Sequence, residues 1–516
     1  MESKNISQAI FVVAALVVAI YAAFAILLNP TGGISGLSML ITIGGVLLGI
    51  INPKAALYFL AAQSIYSDEI KRIGVFYGVT SDQTISEILV GPLLTICAIN
   101  ASFLYGVLRS NYHIGKLGWG LYSVIPLVAI GIILGQGGIS GLFGGGFKLT
   151  LYLAGTASLY MTLVPVCYGL FRTHDEWVEF ISWQVVVAAP AAAWGIWQYY
   201  NGFNVIEWTY ARSGLSRVHS NQMLNFPYPR IFGMFGSESA IGCTGIYGAF
   251  SFWRGIRYKK KRLIFLAIAL VYLAAIILSQ QRSLLLYPLI ILSFTFAFRH
   301  RITTVGIYSS VLSLFILGII NSTYMLQEGL EKINRAIAIK GSWGERVFNV
   351  DTFSDRLRGW ERLSKADSWS LFGTGLSGGV ELAGTKYDAD YNHDIINKIL
   401  INFGAVPLFF GIVLAFSLLY QLHAVIHRSG DRQFRNDGAF AMACIVPVLI
   451  LSSIAGDNFT TTPINLQIWS VFAGIFILKR ILEEQRKTIH ANVPPASHPN
   501  NKTTNRLQPP RRPLAN

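Results

Sequence analysis

Charged residues are rare in this chain. Only 13% of its 516 residues are Asp, Glu, Lys or Arg, against about 25% in an average soluble domain, and the mean hydropathy is +0.49. These values exclude an ordinary water-soluble enzyme, and they exclude a disordered chain, which needs low hydrophobicity. Cysteine is also rare: the four cysteines lie singly in apolar runs. That pattern indicates neither a disulfide framework nor a zinc site built on a CxxC or CxxH pair.

The sequence contains many long apolar segments. A membrane-crossing helix needs about 20 apolar residues. The runs predict spans near 8–28, 34–51, 54–66, 85–108, 118–135, 147–171, 176–200, 231–254, 262–279, 283–298, 303–321, 395–420, 438–455 and 464–481. The segment 54–66 is short, and it is either half-buried or continuous with its neighbour across Asn52-Pro53. The predicted fold class is all-α: a polytopic integral membrane protein with about 12–14 transmembrane helices.

The basic residues indicate the orientation of these spans. The strongest basic cluster, 254–262, lies in a short loop, and basic loops of this kind stay in the cytoplasm. Alternating the spans from there puts both termini and the whole of the net charge of +15 on the cytoplasmic side, while the outer side is close to neutral. The charge therefore reflects topology and does not indicate nucleic acid as a partner. The first apolar run lacks a small-residue cleavage site, so we interpret it as a retained anchor.

Two larger loops fall on the opposite side of the membrane, at 201–230 and 322–394. The chain then divides into N-terminal transmembrane helices (1–200), a second set of transmembrane helices (201–321), the long periplasmic loop (322–394), C-terminal transmembrane helices (395–482) and a disordered cytoplasmic tail (483–516). The basic tail suits contact with anionic lipid. The long loop shows helical spacing at 321–340 and 353–363. This spacing predicts amphipathic helices on the membrane surface or, equally, plain solvated helices.

Arg282 lies in the polar sequence SQQRS at 279–283, inside an apolar run from 263 to 298. The run is too long for one helix and suits two, so the polar residues predict a tight turn at the outer face. An arginine there either extends to the interface between lipid and water or binds an anion. For the second role, its planar guanidinium matches phosphate oxygens and stays charged at any working pH.

Five further residues on the outer side are candidates for chemistry. His393 precedes an apolar helix, where a histidine serves either as a general base or only in local hydrogen bonding. Asp394 beside it equally fits a helix N-cap. Arg230 lies at the outer end of a predicted span, and Glu238 lies about two turns deeper, where it is either functional or paired with a basic neighbour. Arg356 lies in the long loop.

Several arginines and one histidine therefore converge on one face of the membrane. This pattern fits a lipid-diphosphate donor whose leaving group is stabilised by arginines, while the histidine orients or deprotonates a hydroxyl acceptor. The arginines supply the positive charge, and the sequence has no dense Asp/Glu cluster of the kind that a divalent cation prefers. We therefore expect neither a metal nor a cofactor.

The ordered set of motifs resembles the O-antigen ligase and O-antigen/exopolysaccharide polymerase superfamily of bacterial inner membranes. Three pieces carry the resemblance: RIFGMF at 230–235, SQQR at 279–282, and the long loop from RLRGW at 356–360 through LFGTG at 371–375 to His393 and Phe403-Gly404. The span pattern from 200 to 480 fits the family, whereas the N-terminal half matches only as transmembrane helices.

The resemblance implies a GT-C-like, metal-independent glycosyltransferase that passes a glycan from undecaprenyl diphosphate to an acceptor on the periplasmic face. Arg282 and Arg230 match the family's diphosphate-binding arginines, His393 its candidate catalytic histidine, and Arg356 a recurrent loop arginine. The family has Asn directly after the histidine, where this chain has Asp394. His393 therefore acts either as a base or mainly to orient the acceptor.

The acceptor separates three kinds of enzyme. A polymerase, which we favour, uses another lipid-linked repeat unit, a ligase uses lipid A-core, and a third type uses a protein hydroxyl. The alternative from another class is a polysaccharide transporter or lipid-linked glycan flippase, which predicts internal repeats and charged residues near mid-membrane. The sequence shows no clear repeat, and Glu238 is the main residue that favours a transporter.

Overall fold

The computed structural model describes residues 28–78, 82–112, 158–213, 231–235, 240–259, 261–279, 282–299 and 463–492, with isolated residues between 114 and 126, at 155, and between 405 and 444. In this part of the chain 88% of the residues are helical and none is in a strand, which confirms the all-α prediction there. Several predictions lie outside the described residues: the spans at 8–28 and 303–321, most of those at 118–135, 395–420 and 438–455, the loop 322–394, and the tail after 492.

The described helices form a bundle around one central helix. They are Pro30–Ile51 (α1), Pro53–Phe76 (α2), Asp82–Leu108 (α3), Leu163–Leu170 (α4), His174–Asn201 (α5), Val205–Arg212 (α6), Cys243–Arg257 (α7), Arg262–Leu278 (α8), Arg282–Arg299 (α9) and Ile464–Asn492 (α10). Short 3-10 turns, Tyr160–Thr162 and Ala240–Gly242, directly precede α4 and α7. The central helix is α5, which packs against α2, α7, α8 and α10, while α1, α2 and α3 pack on one another.

Four of the described helices are long and apolar enough to cross a membrane. They are α1, α5, the Val90–Leu108 part of α3 and the Ile464–Glu484 part of α10, and they coincide with the spans predicted at 34–51, 176–200, 85–108 and 464–481. Large apolar side chains are exposed on the outside of the bundle; on α1, for example, Leu47 is 53% exposed and Ile50 58%. Since water-soluble monomers rarely expose extended apolar surface, these helices indicate a membrane protein.

Local sequence explains where two of the helices begin. Asn52 separates α1 from α2, and its side-chain oxygen accepts a hydrogen bond from the Ala55 N–H at 3.1 Å while Pro53 fills the first helical position. Thr173 caps α5 in the same way, through the Glu176 N–H at 3.3 Å. The cap at Asn52 makes α2 a helix of its own and not a continuation of α1.

The prediction of a short span at 54–66 is wrong in length, because α2 extends over 24 residues. The residues after 66 are polar and end the apolar run, but their charges pair one turn apart. Asp68 Oδ1 lies 3.1 Å from Lys71 Nζ, and Glu69 Oε2 lies 2.9 Å from Arg72 Nη1. Such pairs support a helix, and tertiary packing buries both basic side chains.

Two other boundaries also differ from the prediction. The span predicted near 231–254 is not helical over 231–235, because these residues form a turn around Gly233; the described helix that follows is the 3-10 turn Ala240–Gly242, which continues as α7. At the C-terminal side, α10 runs to Asn492, so the first residues of the segment predicted as a disordered tail are helical. The residues after 478 are rich in Lys, Arg, Glu and Gln, which are good helix formers.

The bundle has two polar ends, which we name after a residue in each. The Gly233 end contains the last turns of α2 and α5, helix α6, and residues 231–235, which we call the Gly233 turn. The Asp437 end contains the start of α5, the end of α7 and Asp437. On the predicted topology, the Gly233 end faces the periplasm and the Asp437 end faces the cytoplasm.

Candidate functional site

The structure describes one part of the site that the sequence predicts. Helix α8 ends at Leu278 and α9 begins at Arg282, which confirms that the apolar run forms two helices; residues 280–281 lie outside the described part of the chain, and only the backbone of Arg282 is described. The other predicted residues lie outside the described part of the chain: Arg230, Glu238, Arg356, His393 and Asp394. The Gly233 turn follows Arg230 directly in the sequence, and this turn with its surroundings is the candidate site.

The Gly233 turn is buried and tightly bent. Ile231, Phe232 and Phe235 have no exposed surface, and the Phe235 N–H donates to the Phe232 carbonyl at 3.1 Å. Gly233 has φ +61, a left-handed conformation that favours glycine. A Cβ at this position would lie 2.2 Å from the Ala191 carbonyl oxygen of α5. The turn therefore packs directly on the backbone of the central helix.

Gln198, near the end of α5, hydrogen-bonds the peptide groups of this turn. Its Oε1 accepts from the Gly233 N–H at 2.8 Å and from the Phe232 N–H at 3.2 Å, while its Nε2 donates to the Gly233 carbonyl at 3.2 Å. About two turns earlier on α5, the Ala191 carbonyl accepts from the Met234 N–H at 3.2 Å. These bonds satisfy backbone groups that would otherwise be costly to bury.

Arg72 of α2 holds the same turn from the other side. Its Nη1 donates to the Gly233 carbonyl at 2.8 Å and to Glu69 Oε2 at 2.9 Å. The guanidinium carbon lies 4.4 Å from the centre of the Phe232 ring, within range of a cation–π contact. The Arg72 side chain is 0% exposed. A fully buried arginine is rare unless it is paired, and here the carboxylate of Glu69 and the turn are its described partners.

Glu207 of α6 extends this network behind Gln198. Its Oε1 accepts from Gln198 Nε2 at 2.5 Å and from Trp194 Nε1 at 2.7 Å, and its Oε2 accepts from the Asn204 N–H at 2.8 Å. Asn204 in turn accepts from the Glu207 N–H at 2.9 Å, so the two residues form a capping box at the start of α6. The Glu207 carboxylate is buried and accepts three hydrogen bonds. The bond from Gln198 Nε2 orients the Gln198 amide.

The charges around the turn are close to balance. Asp68, Glu69 and Glu207 carry negative charge, and Lys71 and Arg72 carry positive charge. The described cluster therefore has no excess of positive charge with which to bind a diphosphate by itself. Its hydrogen bonds are directed at the backbone of the turn, so its geometry suits holding the chain next to Arg230.

The start of α9, at Arg282, lies toward the same end of the bundle as the Gly233 turn. Helix α7 ends at the Asp437 end, so its first residue, Cys243, points toward the opposite end. A Cβ on Gly245 of α7 would lie 2.6 Å from the Cβ of Tyr287 of α9, which means that the two helices touch near their first turns. The structure thus brings the described residues of two sequence motifs, 231–235 and the backbone of Arg282, to one end.

The Asp437 end contains a second buried cluster. Asp437 Oδ2 lies 2.5 Å from His174 Nε2 and 3.4 Å from the Tyr258 hydroxyl, and Asp437 Oδ1 lies 3.9 Å from Arg257 Nε. Burial raises the pKa of Asp437 above its ordinary value, and the neighbouring His174 and Arg257 act in the opposite direction. The cluster ties the start of α5 to the end of α7, where the predicted cytoplasmic loop begins.

Sequence reasoning missed Arg72, Gln198 and Glu207. The polar run from 67 to 72 is a signal in the sequence, although by composition alone it indicates the end of a short span. Charged residues inside a long helix of a membrane protein are functional candidates by default, and this rule would have selected Arg72 had the helix been extended. In the part of the chain that the structure describes, no group of three His, Cys, Asp or Glu side chains suits a metal ion.

Comparison of the chain with protein-family models, with curated proteins and with solved structures finds no match.

Proposed function

We propose that the protein is a polytopic membrane glycosyltransferase of the bacterial inner membrane. It transfers a glycan from undecaprenyl diphosphate to an acceptor hydroxyl on the periplasmic face, with inversion and without a metal. Arg282 and Arg230 bind the diphosphate, and His393 assists the acceptor. Arg356, Asp394 and Glu238 support this site. The proposal rests on the order of the motifs in the sequence together with the geometry at the Gly233 end.

The observation that carries the proposal is the hydrogen-bonded Gly233 turn. Stabilising a leaving group requires charges that are held in place before the reaction, because reorganisation during the reaction is costly. The turn directly after Arg230 is held on α2 by Arg72 and on α5 by Gln198. Helix α9, which begins with Arg282, starts toward the same end. A turn held directly after Arg230 and a helix that begins with Arg282 suit a diphosphate better than two arginines on a solvated loop.

The reaction that fits these residues is a single displacement. The acceptor oxygen forms a bond to the anomeric carbon of the donor sugar, and the bond from that carbon to the diphosphate oxygen breaks. The hydroxyl proton passes to His393. The electron pair of the broken bond leaves with the undecaprenyl diphosphate, whose added negative charge Arg282 and Arg230 stabilise. The favoured acceptor is another lipid-linked repeat unit, as for a surface-polysaccharide polymerase.

The test is a set of single substitutions scored by surface glycan and by protein level. Arg282→Ala and His393→Ala should abolish glycan transfer while the protein is still present in the membrane. Arg299→Ala is the matched control for the first, because Arg299 is the last residue of the same helix, α9. His490→Ala, near the end of α10, is the control for the second. Normal glycan in both test variants would show that this transferase site is wrong.

The products identify the acceptor. Deleting a polymerase removes all long chains and leaves single repeat units, whereas deleting a ligase leaves long chains that stay attached to the lipid carrier. Glycan missing only from a protein would indicate the third type of acceptor. We expect the first pattern.

A further inference from the structure

We infer that Arg72 is a positioning residue for diphosphate binding, acting through the Gly233 turn on Arg230. The inference rests on the proposed function, because it assigns a role relative to Arg230. Arg72 lies 158 positions before Arg230 in the sequence, on α2, in a half of the chain that the sequence motifs did not include. Its Nη1 nevertheless donates to the carbonyl of Gly233, three residues after Arg230.

Two helices hold the backbone of one residue, Gly233, from two directions. Gln198 of α5 accepts from the Gly233 N–H at 2.8 Å, and Arg72 of α2 donates to the Gly233 carbonyl at 2.8 Å. Gln198 and Ala191 bond the turn to α5 alone. The bond from Arg72 to the Gly233 carbonyl adds a fixed point on a second helix, α2. The backbone that follows Arg230 is therefore set by the distance between α2 and α5.

Arg72 itself does not contact the ligand in this arrangement. Its side chain is 0% exposed, and Glu69 balances its charge at 2.9 Å. Within the described ranges, its Nε and Nη2 have no hydrogen-bond partner, so both described hydrogen bonds come from Nη1. A buried ion pair adds little net stability compared with apolar residues of the same volume. The specific effect of the arginine is on the geometry of the turn.

Removing the arginine should therefore weaken diphosphate binding by moving Arg230. A displacement of about 1 Å at a binding group can reduce activity by up to about a hundredfold. For Arg72→Gln we expect about a tenfold weaker affinity, since Gln still offers an NH2 donor group but has a shorter side chain and no charge. Arg72→Lys keeps the charge and one strong donor, so its affinity should lie between those of Arg72→Gln and the wild type.

The experiment measures binding of farnesyl diphosphate and of inorganic pyrophosphate to the purified full-length protein in lipid nanodiscs. Arg480→Gln is the matched control. Arg480 is also largely buried, at 13% side-chain exposure, and it donates to the backbone carbonyls of Tyr168 and Phe171, away from the Gly233 turn. The Arg480→Gln variant should lose a similar amount of stability but bind farnesyl diphosphate and pyrophosphate with the wild-type affinity. If both variants lose affinity equally, a general loss of structure is the cause and the positioning role is wrong.

A double-mutant cycle separates positioning from direct binding. If Arg72 acts through Arg230, then Arg72→Gln should cause little further loss of affinity in an Arg230→Ala background. Independent, multiplying losses would overturn the inference and indicate that Arg72 binds the ligand itself. Wild-type affinity in Arg72→Gln, with a loss in Arg230→Ala, would overturn the inference and leave the proposed function standing. If neither Arg230→Ala nor Arg282→Ala changes binding, the proposed function fails instead.

Discussion

Replacing Gly233 by alanine should destabilise the protein strongly, and the structure supplies the size of the effect. Alanine in a left-handed conformation costs about 1–2 kcal/mol, and Gly233 has φ +61. The added Cβ would also lie 2.2 Å from the Ala191 carbonyl oxygen, so the turn has to move away by about 1 Å to regain van der Waals distance. That oxygen belongs to the middle of α5, which is packed on several helices and has little freedom to yield.

The movement breaks or lengthens three hydrogen bonds. They are Met234 N–H to the Ala191 carbonyl, Gly233 N–H to Gln198 Oε1, and Arg72 Nη1 to the Gly233 carbonyl. Each contributes about 0.5–1.5 kcal/mol. With the cost of the left-handed alanine, the expected loss in the free energy of unfolding is about 2.5–6.5 kcal/mol.

Gly78→Ala is the control for this prediction. Gly78 follows the end of α2 with φ +87, and a Cβ there would have nothing within 4 Å. It should cost only the conformational part, about 1–2 kcal/mol. The assay is unfolding of the purified protein by SDS in mixed micelles, followed by tryptophan fluorescence. Equal losses in the two variants would refute the claim that contact with α5 determines the cost at Gly233.

Three other predictions follow from the same structure. Glu207→Gln replaces an acceptor of three hydrogen bonds by an amide, and it should cost about 1–3 kcal/mol in the same SDS unfolding assay; an unchanged free energy would contradict the network. Burial raises the pKa of Asp437 above its ordinary value of 3.8, so the folded protein binds this proton more tightly than the unfolded chain does. The resulting stability is fully present below pH 3.8 and is lost as the pH rises through the pKa of the folded state. Asp437→Asn should remove this part of the pH dependence of the melting temperature, and a pH profile identical to that of the wild type would refute the prediction. In spheroplasts of a variant without native cysteines, Val205→Cys should react with an impermeant maleimide and Lys259→Cys only after permeabilisation; the reverse pattern would invert the topology.

The helical spans were accessible from sequence because they depend on local properties. The four helices that are long and apolar enough to cross a membrane coincide with predicted spans, since about 20 apolar residues in a row are both necessary and recognisable. The polar turn between α8 and α9 was predicted for the same reason: the apolar run is too long for one helix and has polar residues in its middle.

The errors occurred where distant partners decide the structure. The polar residues from 67 to 72 end an apolar run, and only the packing of α2 against α6 and the Gly233 turn shows why the helix continues through them. Residues 231–235 have the composition of a span, yet they form a turn because Gln198 and Arg72 satisfy their backbone groups. A single sequence contains no signal for hydrogen bonds between positions so far apart.

The sequence by itself indicated a helical membrane protein, the four described helices that are long and apolar enough to cross a membrane, and the motifs that suggest a diphosphate donor, because hydrophobic length and charge placement are properties of contiguous segments. Only the tertiary structure decided which buried residues hold those motifs. Arg72, Gln198 and Glu207 meet around Gly233 because three helices converge there. A buried arginine or glutamate is stable only where the fold supplies its partners, and those partners are set by the packing of the whole bundle.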